Sequence, residues 1–254
     1  MTPPAGVDPR LIGRVALITG GGSGLGRATA LRLAEHGAYP VVADVAADAA
    51  KGTVELIRER GQDGRAIHLD VTDPATVRDC VAQLCAEFDE AFNCLINNAG
   101  TDEGASLLNI TDEQWRRVIA VNQTGPLYMS REFLRHAVRR DPALPPADIV
   151  NIISISAITV GTEAAAYNSS KAALAKLTEV MQREAHEFHW PVRIHGIMPS
   201  AMNTPMMDQW HLDPAVMMDP DSVASAIVFV LALPPDTFVQ NLIVNSRREP
   251  SWPR

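Results

Sequence analysis

A tyrosine and a lysine four residues apart are the first side chains in this sequence that could do chemistry. Tyr167 and Lys171 lie in the run 164–181, which is rich in residues that favour helix. Residues four apart share one helix face, so the phenol and the ammonium should lie close together. A phenol normally keeps its proton until about pH 10. A neighbouring cation stabilises the phenolate, so we expect Lys171 to lower the pKa of Tyr167 and make it an acid/base catalyst.

A serine hydroxyl precedes this pair in the sequence. Ser154 follows the apolar run 148–153, which predicts a buried strand that ends just before it. A hydroxyl in that place can donate a hydrogen bond to a substrate oxygen that gains charge during a reaction. Ser156 and Gly161 lie between Ser154 and Tyr167, and we expect them to edge the same pocket. A tyrosine and lysine at this spacing often mark only a solvated helix face, so the surrounding motifs decide the interpretation.

A glycine-rich segment near the amino end predicts the binding of a dinucleotide. Residues 14–19 form a run of small and β-branched side chains typical of a buried strand, and residues 27–36 have a helical pattern. Between them lies the sequence Gly-Gly-Gly-Ser-Gly-Leu-Gly at 20–26. Strand, glycine turn and helix in this order bind a pyrophosphate, because glycines admit phosphate close to backbone N–H groups and the helix start adds partial positive charge.

An acidic residue ends the next apolar strand and indicates which dinucleotide is bound. Asp44 follows the run 39–43 and lies about 20 residues beyond the glycine turn. A carboxylate there accepts hydrogen bonds from the adenosine ribose and repels a 2′-phosphate. Ser23 and Val45 stand where a basic residue would be needed to hold that phosphate. The pattern therefore favours NAD over NADP.

The elements that would position these residues alternate between strand and helix. This alternation predicts an α/β protein with a Rossmann-like, doubly wound parallel sheet of seven strands, with helices on both faces, in a single domain. Ligands of such sheets bind beyond the carboxyl ends of the strands, where the motifs fall. The predicted strands are 14–19, 39–43, 65–69, 93–96, 148–153, 192–198 and 241–245, and the predicted helices are 25–36, 46–60, 74–88, 112–139, 164–188 and 221–232.

A proline inside one predicted helix indicates an irregular backbone. Pro126 lies four residues after Asn122 in the helix predicted over 112–139. Proline has no N–H, so the carbonyl group of Asn122 loses its usual helical partner. We expect a kink there and a backbone acceptor that can hold a water. A kink would also serve simply to wrap the helix around the sheet.

Taken together, the motifs resemble those of the short-chain dehydrogenase/reductase family, in its short single-domain form. The likeness runs from about Leu11 to about Ser246. It rests on the cofactor turn at 19–26, Asp70 with Val71, the Asn-Asn-Ala-Gly run at 97–100, Asn122, Ser154, Tyr167 with Lys171, and the turn at 199–204. The resemblance implies that Asn122, Ser154, Tyr167 and Lys171 form a catalytic set. It also implies a proton relay from Tyr167 through the cofactor ribose and Lys171 to a water at the Asn122 carbonyl.

The spacing and the resemblance together predict the cofactor contacts, and no metal is expected. The predicted cofactor contacts are Gly20, Ser23, Gly24, Leu25, Gly26, Asp44, Asp70, Val71, Asn98, Ala99, Gly100, Tyr167, Lys171, Pro199 and Thr204.

Two departures from the family pattern stand out. Ser200 replaces the glycine expected after Pro199, and if that position needs a positive φ, serine strains the turn and loosens the contact of Thr204. The carboxyl end also lacks the usual glycine-rich finish.

A concentration of methionines follows the last of these turns. Six of the nine methionines lie between residues 198 and 218, with Trp210 among them. In the family this resembles, that segment caps the active site, so we expect Met206, Met207 and Trp210 to join Ser154, Ser156 and Tyr167 around the substrate. Methionine is flexible, so such a lid would mould to a bulky apolar substrate. The same residues would equally fit a core stripe.

These observations predict an NAD(H)-dependent oxidoreductase that interconverts a secondary alcohol and a ketone. Tyr167 would act as general acid/base and Ser154 would polarise the substrate oxygen. Two alternatives stay open: an NADP-dependent 3-oxoacyl-type reductase, and a dinucleotide-binding scaffold or sensor without turnover. The chain offers no room for the second domain typical of relatives that catalyse epimerisation or dehydration.

Composition and charge bound the remaining possibilities. The chain has 254 residues, 46% of them hydrophobic, which suits one α/β domain. A net charge of −8 argues against nucleic acid and anionic membranes as partners. No apolar run approaches the roughly 20 residues of a membrane span, and the start has no signal core, so we expect a cytoplasmic protein. Cys80, Cys85 and Cys94 should be reduced thiols in or near the core.

The predicted domain covers residues 11–246, between a flexible tail at 1–10 and a polar tail at 247–254. The resemblance implies a homo-oligomer, either a tetramer or a dimer, with the Tyr167 helix and the kinked helix in one interface. Trp252 in the second tail either docks on a neighbouring subunit or is disordered.

Overall fold

Seven parallel strands form one sheet at the centre of the computed structural model, which describes residues 8–248. The spatial order is β3-β2-β1-β4-β5-β6-β7, and every neighbouring pair in it runs parallel. The strands are β1 (Val15–Thr19), β2 (Tyr39–Asp44), β3 (Arg65–His68), β4 (Phe92–Asn97), β5 (Ala147–Ile152), β6 (Val192–Pro199) and β7 (Asn241–Val244). The predicted fold class and the number of strands are confirmed.

Seven helices of the described chain connect these strands. They are α1 (Gly24–Glu35), α2 (Ala47–Glu59), α3 (Pro74–Phe88), α4 (Asp112–Ile119), α5 (Gly125–Ala137), α6 (Ala165–Glu187) and α7 (Pro220–Leu231). Local sequence explains several starts: Thr111 and Gln114 form a reciprocal capping box at α4, and Asp73 caps α3 just before Pro74. A short 3-10 helix at Pro205–Trp210, here called the lid helix, was not predicted as a separate element.

The two faces of the sheet enter two apolar clusters. In β1, Ala16 and Ile18 join the cluster formed with α1, α2 and α7, whereas Val15 and Leu17 join the one formed with α3, α5 and α6. β5 and β6 are buried along their whole length. Burial on both faces explains why these strands have apolar runs rather than an alternating pattern.

The chain changes direction across the sheet beside β1. From β1 the chain proceeds outward to β2 and β3, and then returns to place β4 on the other side of β1. Loops at the carboxyl ends of β1 and β4 therefore diverge and leave a crevice between them. The glycine turn follows β1, and the Asn97–Gly100 motif begins at the end of β4.

The helix predicted over 112–139 is interrupted. A π turn at Ala120–Thr124 separates α4 from α5, and in it the Gly125 N–H donates to the carbonyl group of Ala120, five residues earlier. Pro126 explains the interruption, because it cannot donate to the carbonyl group four residues before it. The irregularity expected at Asn122 is present, in the form of a π turn.

A buried ion cluster lies at the opposite, amino-terminal edge of the sheet. The Asp148 carboxylate accepts hydrogen bonds from Arg14 (2.7 Å) and Arg193 (2.8 and 3.0 Å) and lies 3.0 Å from Nε2 of His195. Burial alone would raise the pKa of Asp148, but Arg14, His195 and Arg193 outweigh it and hold the pKa below its usual range. Arg193 also donates to carbonyl groups just after α7, so the cluster ties that segment to β5.

The ends of the described chain can be compared with the predicted domain bounds only in part. Leu11, the predicted start of the domain, is buried, whereas most of the predicted tails, including Trp252, lies outside the described residues. The three thiols are unpaired, and burial raises the pKa of Cys80 to about 11 and that of Cys94 to about 12. Between residues 8 and 248 no helix has the length and apolar character that a membrane crossing requires.

Candidate active site

A cleft of about 980 Å³ opens at the carboxyl ends of β1, β2, β4, β5 and β6. It brings together nearly all the predicted site residues. Those on its walls are Gly20, Ser23, Gly24, Leu25, Asp44, Asp70, Val71, Asn98, Ala99, Gly100, Ser154, Ser156, Tyr167, Lys171, Pro199, Thr204, Met206, Met207 and Trp210, together with Gly161. Gly26 and Asn122 are the two predicted residues that do not line it.

The glycine turn needs glycine for its backbone and for its close neighbours. Gly20 and Gly24 have φ of +63° and +49°, a region that side chains with a Cβ rarely adopt. A Cβ on Gly20 would lie 2.8 Å from the Cα atom of Ala99, and one on Gly24 would lie 3.1 Å from Cγ2 of Thr204. Because Gly20 and Gly24 carry no Cβ, the backbone of the turn itself forms part of the cleft wall.

Gly26, predicted as a cofactor contact, does not line the cleft and packs against the back of its own turn. A Cβ at this position would lie 2.2 Å from the carbonyl oxygen of Gly20 and 2.6 Å from Nδ2 of Asn98. Gly26 faces the back of its own turn and lets α1 approach β1 and β4. A glycine that contacts phosphate and one that permits close packing look alike in sequence.

The start of α1 is suited to an anion. Ser23 is the residue before the helix, but its side chain makes no capping hydrogen bond, and the first turn contains no acidic residue. N–H groups at a helix start lack intrahelical partners and carry partial positive charge. With the bare glycine backbone beside them, these groups fit a pyrophosphate.

Asp44 is held rigidly at the end of β2. One carboxylate oxygen accepts from Gly22 N at 2.9 Å and the other from Ala46 N at 2.9 Å. Val45 beside it is 65% exposed, so no side chain covers the carboxylate from that direction. The nearby Arg27 donates instead to the carbonyl group of Gly22 and to Thr53 behind the turn, and it does not line the cleft.

Two further predicted contacts owe their geometry to local hydrogen bonds. Asp70 accepts from Thr72 N at 2.9 Å and Thr72 Oγ1 at 2.7 Å, which leaves its other oxygen toward the cleft wall. Asn98 donates from Nδ2 to the carbonyl groups of Thr19 (2.9 Å) and Gly20 (3.0 Å). The Asn98 side chain thus clamps the glycine turn against the end of β4.

Ser154, Tyr167 and Lys171 line the same cleft as the glycine turn. Ser154 is 6% exposed, accepts a hydrogen bond from Ser156 N at 3.1 Å, and lies close enough to the Tyr167 hydroxyl to oppose the rise of its pKa. Lys171 is 4% exposed, and its Nζ lies 5.7 Å from the centre of the Tyr167 ring. The two side chains come from successive turns of α6, as their spacing predicted.

Burial controls the ionisation of this pair. It raises the pKa of Tyr167 to about 12, against the hydrogen bond from Ser154 and with a further rise from the Asp102 charge. Burial also lowers the pKa of Lys171 to about 8. The expectation that Lys171 lowers the pKa of Tyr167 is therefore wrong for this structure. Lys171 Nζ donates to the carbonyl group of Ile152 at 2.9 Å rather than to the phenol, and desolvation dominates.

Asn122 lies behind the cleft and braces its wall. Its side chain is fully buried, accepts from Thr101 N at 2.8 Å, and donates to the carbonyl group of Thr101 at 2.8 Å and to Ser170 Oγ at 3.1 Å. Ser170 Oγ in turn donates to the carbonyl group of Tyr167 at 2.7 Å. The side chain of Asn122 therefore connects the loop after β4 to the first turns of α6.

The turn after β6 tolerates serine without strain. The φ of Ser200 lies outside the left-handed region, so the predicted cost of replacing glycine is not incurred. Ser200 N donates to the carbonyl group of Val244 at 2.9 Å, and its Oγ accepts from Ser246 N at 3.1 Å. The serine ties the turn to β7, and Thr204 reaches the cleft wall opposite Gly24.

The methionine-rich segment divides between core and cleft. Met198 and Met218 are buried in the apolar clusters, as a core stripe would require. Met206 and Met207, in the lid helix, line the cleft, and Met202 does so before it. The core interpretation therefore holds for Met198 and Met218, and the contact of Met206 and Met207 with a substrate stays a prediction.

Asp102 is a cleft residue that the sequence analysis missed. It lines the cleft, and its Oδ2 accepts a hydrogen bond from Trp210 Nε1 at 2.9 Å. Burial raises the pKa of Asp102, while its hydrogen bond with Trp210 opposes the rise. Asp102 follows the Asn97–Gly100 motif by two residues, but its partner Trp210 lies 108 residues away in the sequence. A local sequence pattern therefore could not predict this contact.

Comparison with known proteins places these features in context. The family described as short chain dehydrogenase matches residues 14–215. The 2,5-dichloro-2,5-cyclohexadiene-1,4-diol dehydrogenase LinX of Sphingobium indicum is 38% identical over 199 residues, 78% of this chain and 76% of that protein. The cis-4-hydroxycyclohexanecarboxylate dehydrogenase of Sinomonas cyclohexanicum is 32% identical over 230 residues, 85% and 88% of the two chains.

A solved structure has the same fold. The alcohol dehydrogenase of the archaeon Thermococcus sibiricus, complexed with 5-hydroxy-NADP, superposes with a TM-score of 0.84. The match covers 94% of this chain and 99% of that chain, at 24% sequence identity.

Proposed function

The chain belongs to the short-chain dehydrogenase/reductase family, and we propose that it is an NAD(H)-dependent oxidoreductase that interconverts a secondary alcohol and a ketone. One observation carries the proposal: a single cleft is lined both by Ser154, Tyr167 and Lys171 and by the backbone of the glycine turn. The family binds a nicotinamide dinucleotide, and the start of α1 and the glycine turn fit its pyrophosphate. When bound, that cofactor supplies the hydride chemistry.

The preference for NAD rests on Asp44. Two backbone N–H groups fix the Asp44 carboxylate at this position. The nearby cation, Arg27, donates to Thr53 behind the turn and is therefore not directed toward a 2′-phosphate. A negative charge at this position accepts hydrogen bonds from ribose hydroxyls and repels a second phosphate. The relative solved with an NADP analogue shares only the fold at 24% identity, so it does not oppose this preference.

The residues of the cleft can move and stabilise a proton at the substrate oxygen. With its raised pKa, Tyr167 is protonated at neutral pH, which is the form that donates a proton to a ketone oxygen. In the direction of alcohol oxidation Tyr167 must first lose that proton. Ser154 stands beside the phenol and donates to the same substrate oxygen as charge develops on it. Lys171 and Asn122 hold α6 against β5 and the loop after β4.

An apolar, ring-containing alcohol is the substrate class we propose. Met206 and Met207 line the cleft, and at its mouth Val160 is 96% and Leu212 43% exposed. A substrate that covers such side chains gains about 25 cal/mol for each Å² of apolar surface removed from water. The names of the two similar enzymes both specify alcohols on six-membered carbon rings.

A spectrophotometric screen tests the proposal. We expect NAD to be reduced with secondary alcohols, and the rate to rise from open-chain to larger alicyclic substrates. Tyr167→Phe should lower kcat by about a thousandfold, because it removes the proton donor, and should leave NAD affinity nearly unchanged. Tyr128→Phe, on α5 outside the cleft walls, is the matched control.

The same screen separates the alternatives. NAD binding without turnover on any alcohol or ketone would favour the scaffold or sensor. Turnover confined to NADPH and 3-oxoacyl thioesters would favour the 3-oxoacyl-type reductase. Wild-type rates in Tyr167→Phe would remove Tyr167 from the chemistry.

We also propose that the protein assembles into a homotetramer or dimer. Leu127 on α5 is 41% exposed, and Val180 on α6 is 45% exposed. Large apolar side chains on the two helices expected in the interface support burial against a second copy. Light scattering measures the assembly directly.

A further inference from the structure

Asp102 stands where the lid helix meets the acid/base pair, and no sequence motif assigned it a role. It lies in the loop between β4 and α4, on the cleft wall that also contains Tyr167 and Lys171. Its side chain is half-buried, and Oδ1 is covered and has no hydrogen-bond partner in the described chain. A carboxylate held away from water, with one oxygen unsatisfied, is costly, and such groups concentrate at functional sites.

Three hydrogen bonds join this loop to the end of the lid helix. Trp210 Nε1 donates to Asp102 Oδ2 at 2.9 Å, and Gln209 Nε2 donates to the carbonyl group of Asp102 at 3.1 Å. The N–H of Gly104 donates to Gln209 Oε1 at 3.2 Å. The Trp210 ring also lies over Gly104, where a Cβ would come within 2.8 Å of it. The contacts hold the lid helix across one side of the cleft.

Asp102 also acts electrostatically on the acid/base pair. Its negative charge favours the ammonium of Lys171 and disfavours the phenolate of Tyr167. Two further charged groups are near: Glu103, whose charge raises the pKa of Asp102, and Arg117 of α4, which lines the cleft and pairs with Glu103 at 3.0 Å. From the lid helix, Trp210 and Gln209 face Asp102, and neither titrates.

We propose that Asp102 is a positioning residue that fastens the lid helix through Trp210 and sets a fixed negative charge beside Tyr167 and Lys171. The proposal rests on the proposed oxidoreductase function. According to this proposal, the Asp102 side chain couples two properties: closure of the cleft over an apolar substrate, and the proton affinity of Tyr167 and Lys171. The two contributions are separable, because Asn at this position keeps an acceptor for Trp210 and loses the charge, whereas Ala loses both.

The electrostatic part is tested with Asp102→Asn. Loss of the negative charge makes it easier for Tyr167 to give up its proton, so the acid limb of kcat/KM for alcohol oxidation should move to lower pH by about half a unit or more. KM should stay within about twofold of wild type. Asp141→Asn is the matched control: Asp141 is exposed and does not line the cleft, so its profile should not move.

The lid part is tested with Trp210→Phe. Loss of a hydrogen bond to a charged acceptor should raise KM for a bulky alicyclic alcohol by about tenfold. Trp115→Phe, on α4 away from the cleft walls, is the control. An unshifted profile in Asp102→Asn, or a KM in Trp210→Phe equal to that of Trp115→Phe, would overturn the corresponding part.

A measurement that needs no turnover keeps this inference distinct from the proposed function. With Trp115, Trp190 and Trp252 replaced by Phe, Trp210 is the one fluorophore of its kind in the chain. Adding Asp102→Ala should raise acrylamide quenching of Trp210 at least twofold, while Asp102→Asn should change it little. Equal quenching in all three proteins would refute the lid contact. Absence of turnover in wild type would refute the proposed function and, with it, the electrostatic role.

Discussion

Replacement of Asp44 with asparagine changes the charge at the end of β2 while nearly preserving the shape of the side chain. The carboxylate accepts one hydrogen bond from Gly22 N and one from Ala46 N, both at 2.9 Å. An asparagine oxygen can keep the first of these, so the glycine turn should stay in place. The variant therefore isolates the effect of charge on the choice between NAD and NADP.

The magnitude follows from the exposure of the site. Two unit charges 4 Å apart repel by about 1 kcal/mol in bulk water and by about 4 kcal/mol near a protein surface. Asp44 is half-buried and Val45 beside it is exposed, so about 2 kcal/mol is reasonable, or roughly thirtyfold in selectivity. Asp44→Ala also removes a charged acceptor for the ribose, which costs at least about 1.5 kcal/mol more.

The assay is the ratio of kcat/KM for NAD to that for NADP, measured with one alcohol. We expect this ratio to fall about thirtyfold in Asp44→Asn and about three-hundredfold in Asp44→Ala. Adding Val45→Arg to Asp44→Asn should lower it further, because the new cation stands at an exposed position beside the ribose site. An exposed acid elsewhere, changed by Asp141→Asn, is the control.

A ratio that does not change in Asp44→Asn would refute the reasoning, since it would mean that the ribose end of the cofactor lies away from β2. A wild-type enzyme that already prefers NADP would refute the preference itself. Comparison of melting temperatures excludes a general loss of folding as the cause of either result.

Two predictions concern stability. Asp148→Asn should lower the free energy of unfolding at pH 7 by about 3–5 kcal/mol, because Arg14 and Arg193 stay buried without their partner. The native pKa of Asp148 is depressed, so its contribution is fully present above the unfolded value of about 4 and is lost progressively as the pH falls from there toward the lower native pKa. The difference between the two proteins in denaturant titrations should therefore be constant from about pH 7 to about pH 5 and shrink below about pH 4. Gly26→Ala should also destabilise the protein, by about 2 kcal/mol or more, since its Cβ would overlap the Gly20 carbonyl. Thermal melting with Gly52→Ala as control, where a Cβ meets open space, measures that difference, and equal melting temperatures would contradict it.

Residues that act through their neighbours in sequence were the most predictable. The spacing of Tyr167 and Lys171 placed both on one face of α6, and the apolar run before Ser154 placed it just past β5. Pro126 predicted an irregular helix at Asn122, because the missing N–H is a property of the proline alone. Each of these inferences depends on local geometry, which period and residue type largely determine.

Residues whose role depends on contacts across the fold were harder to predict. Gly26 belonged to the right motif, but only the distance to the Gly20 carbonyl shows that it permits packing. The strain expected at Ser200 is absent because the backbone of that turn has an ordinary φ and is bound to β7. Neither fact has a signature in the residues nearby.

The sequence by itself determined the parallel sheet, the alternation of its strands and helices, and many of the residues that line the cleft. These follow from alternating patterns, glycine turns and strand ends, which are properties of short segments. The tertiary structure decided how the acid/base pair ionises and what surrounds it. The pKa of Tyr167 depends on the water excluded around it and on Asp102, which Trp210 reaches from 108 residues away. Desolvation and long-range charge arise only when distant segments pack together, so no local pattern records them.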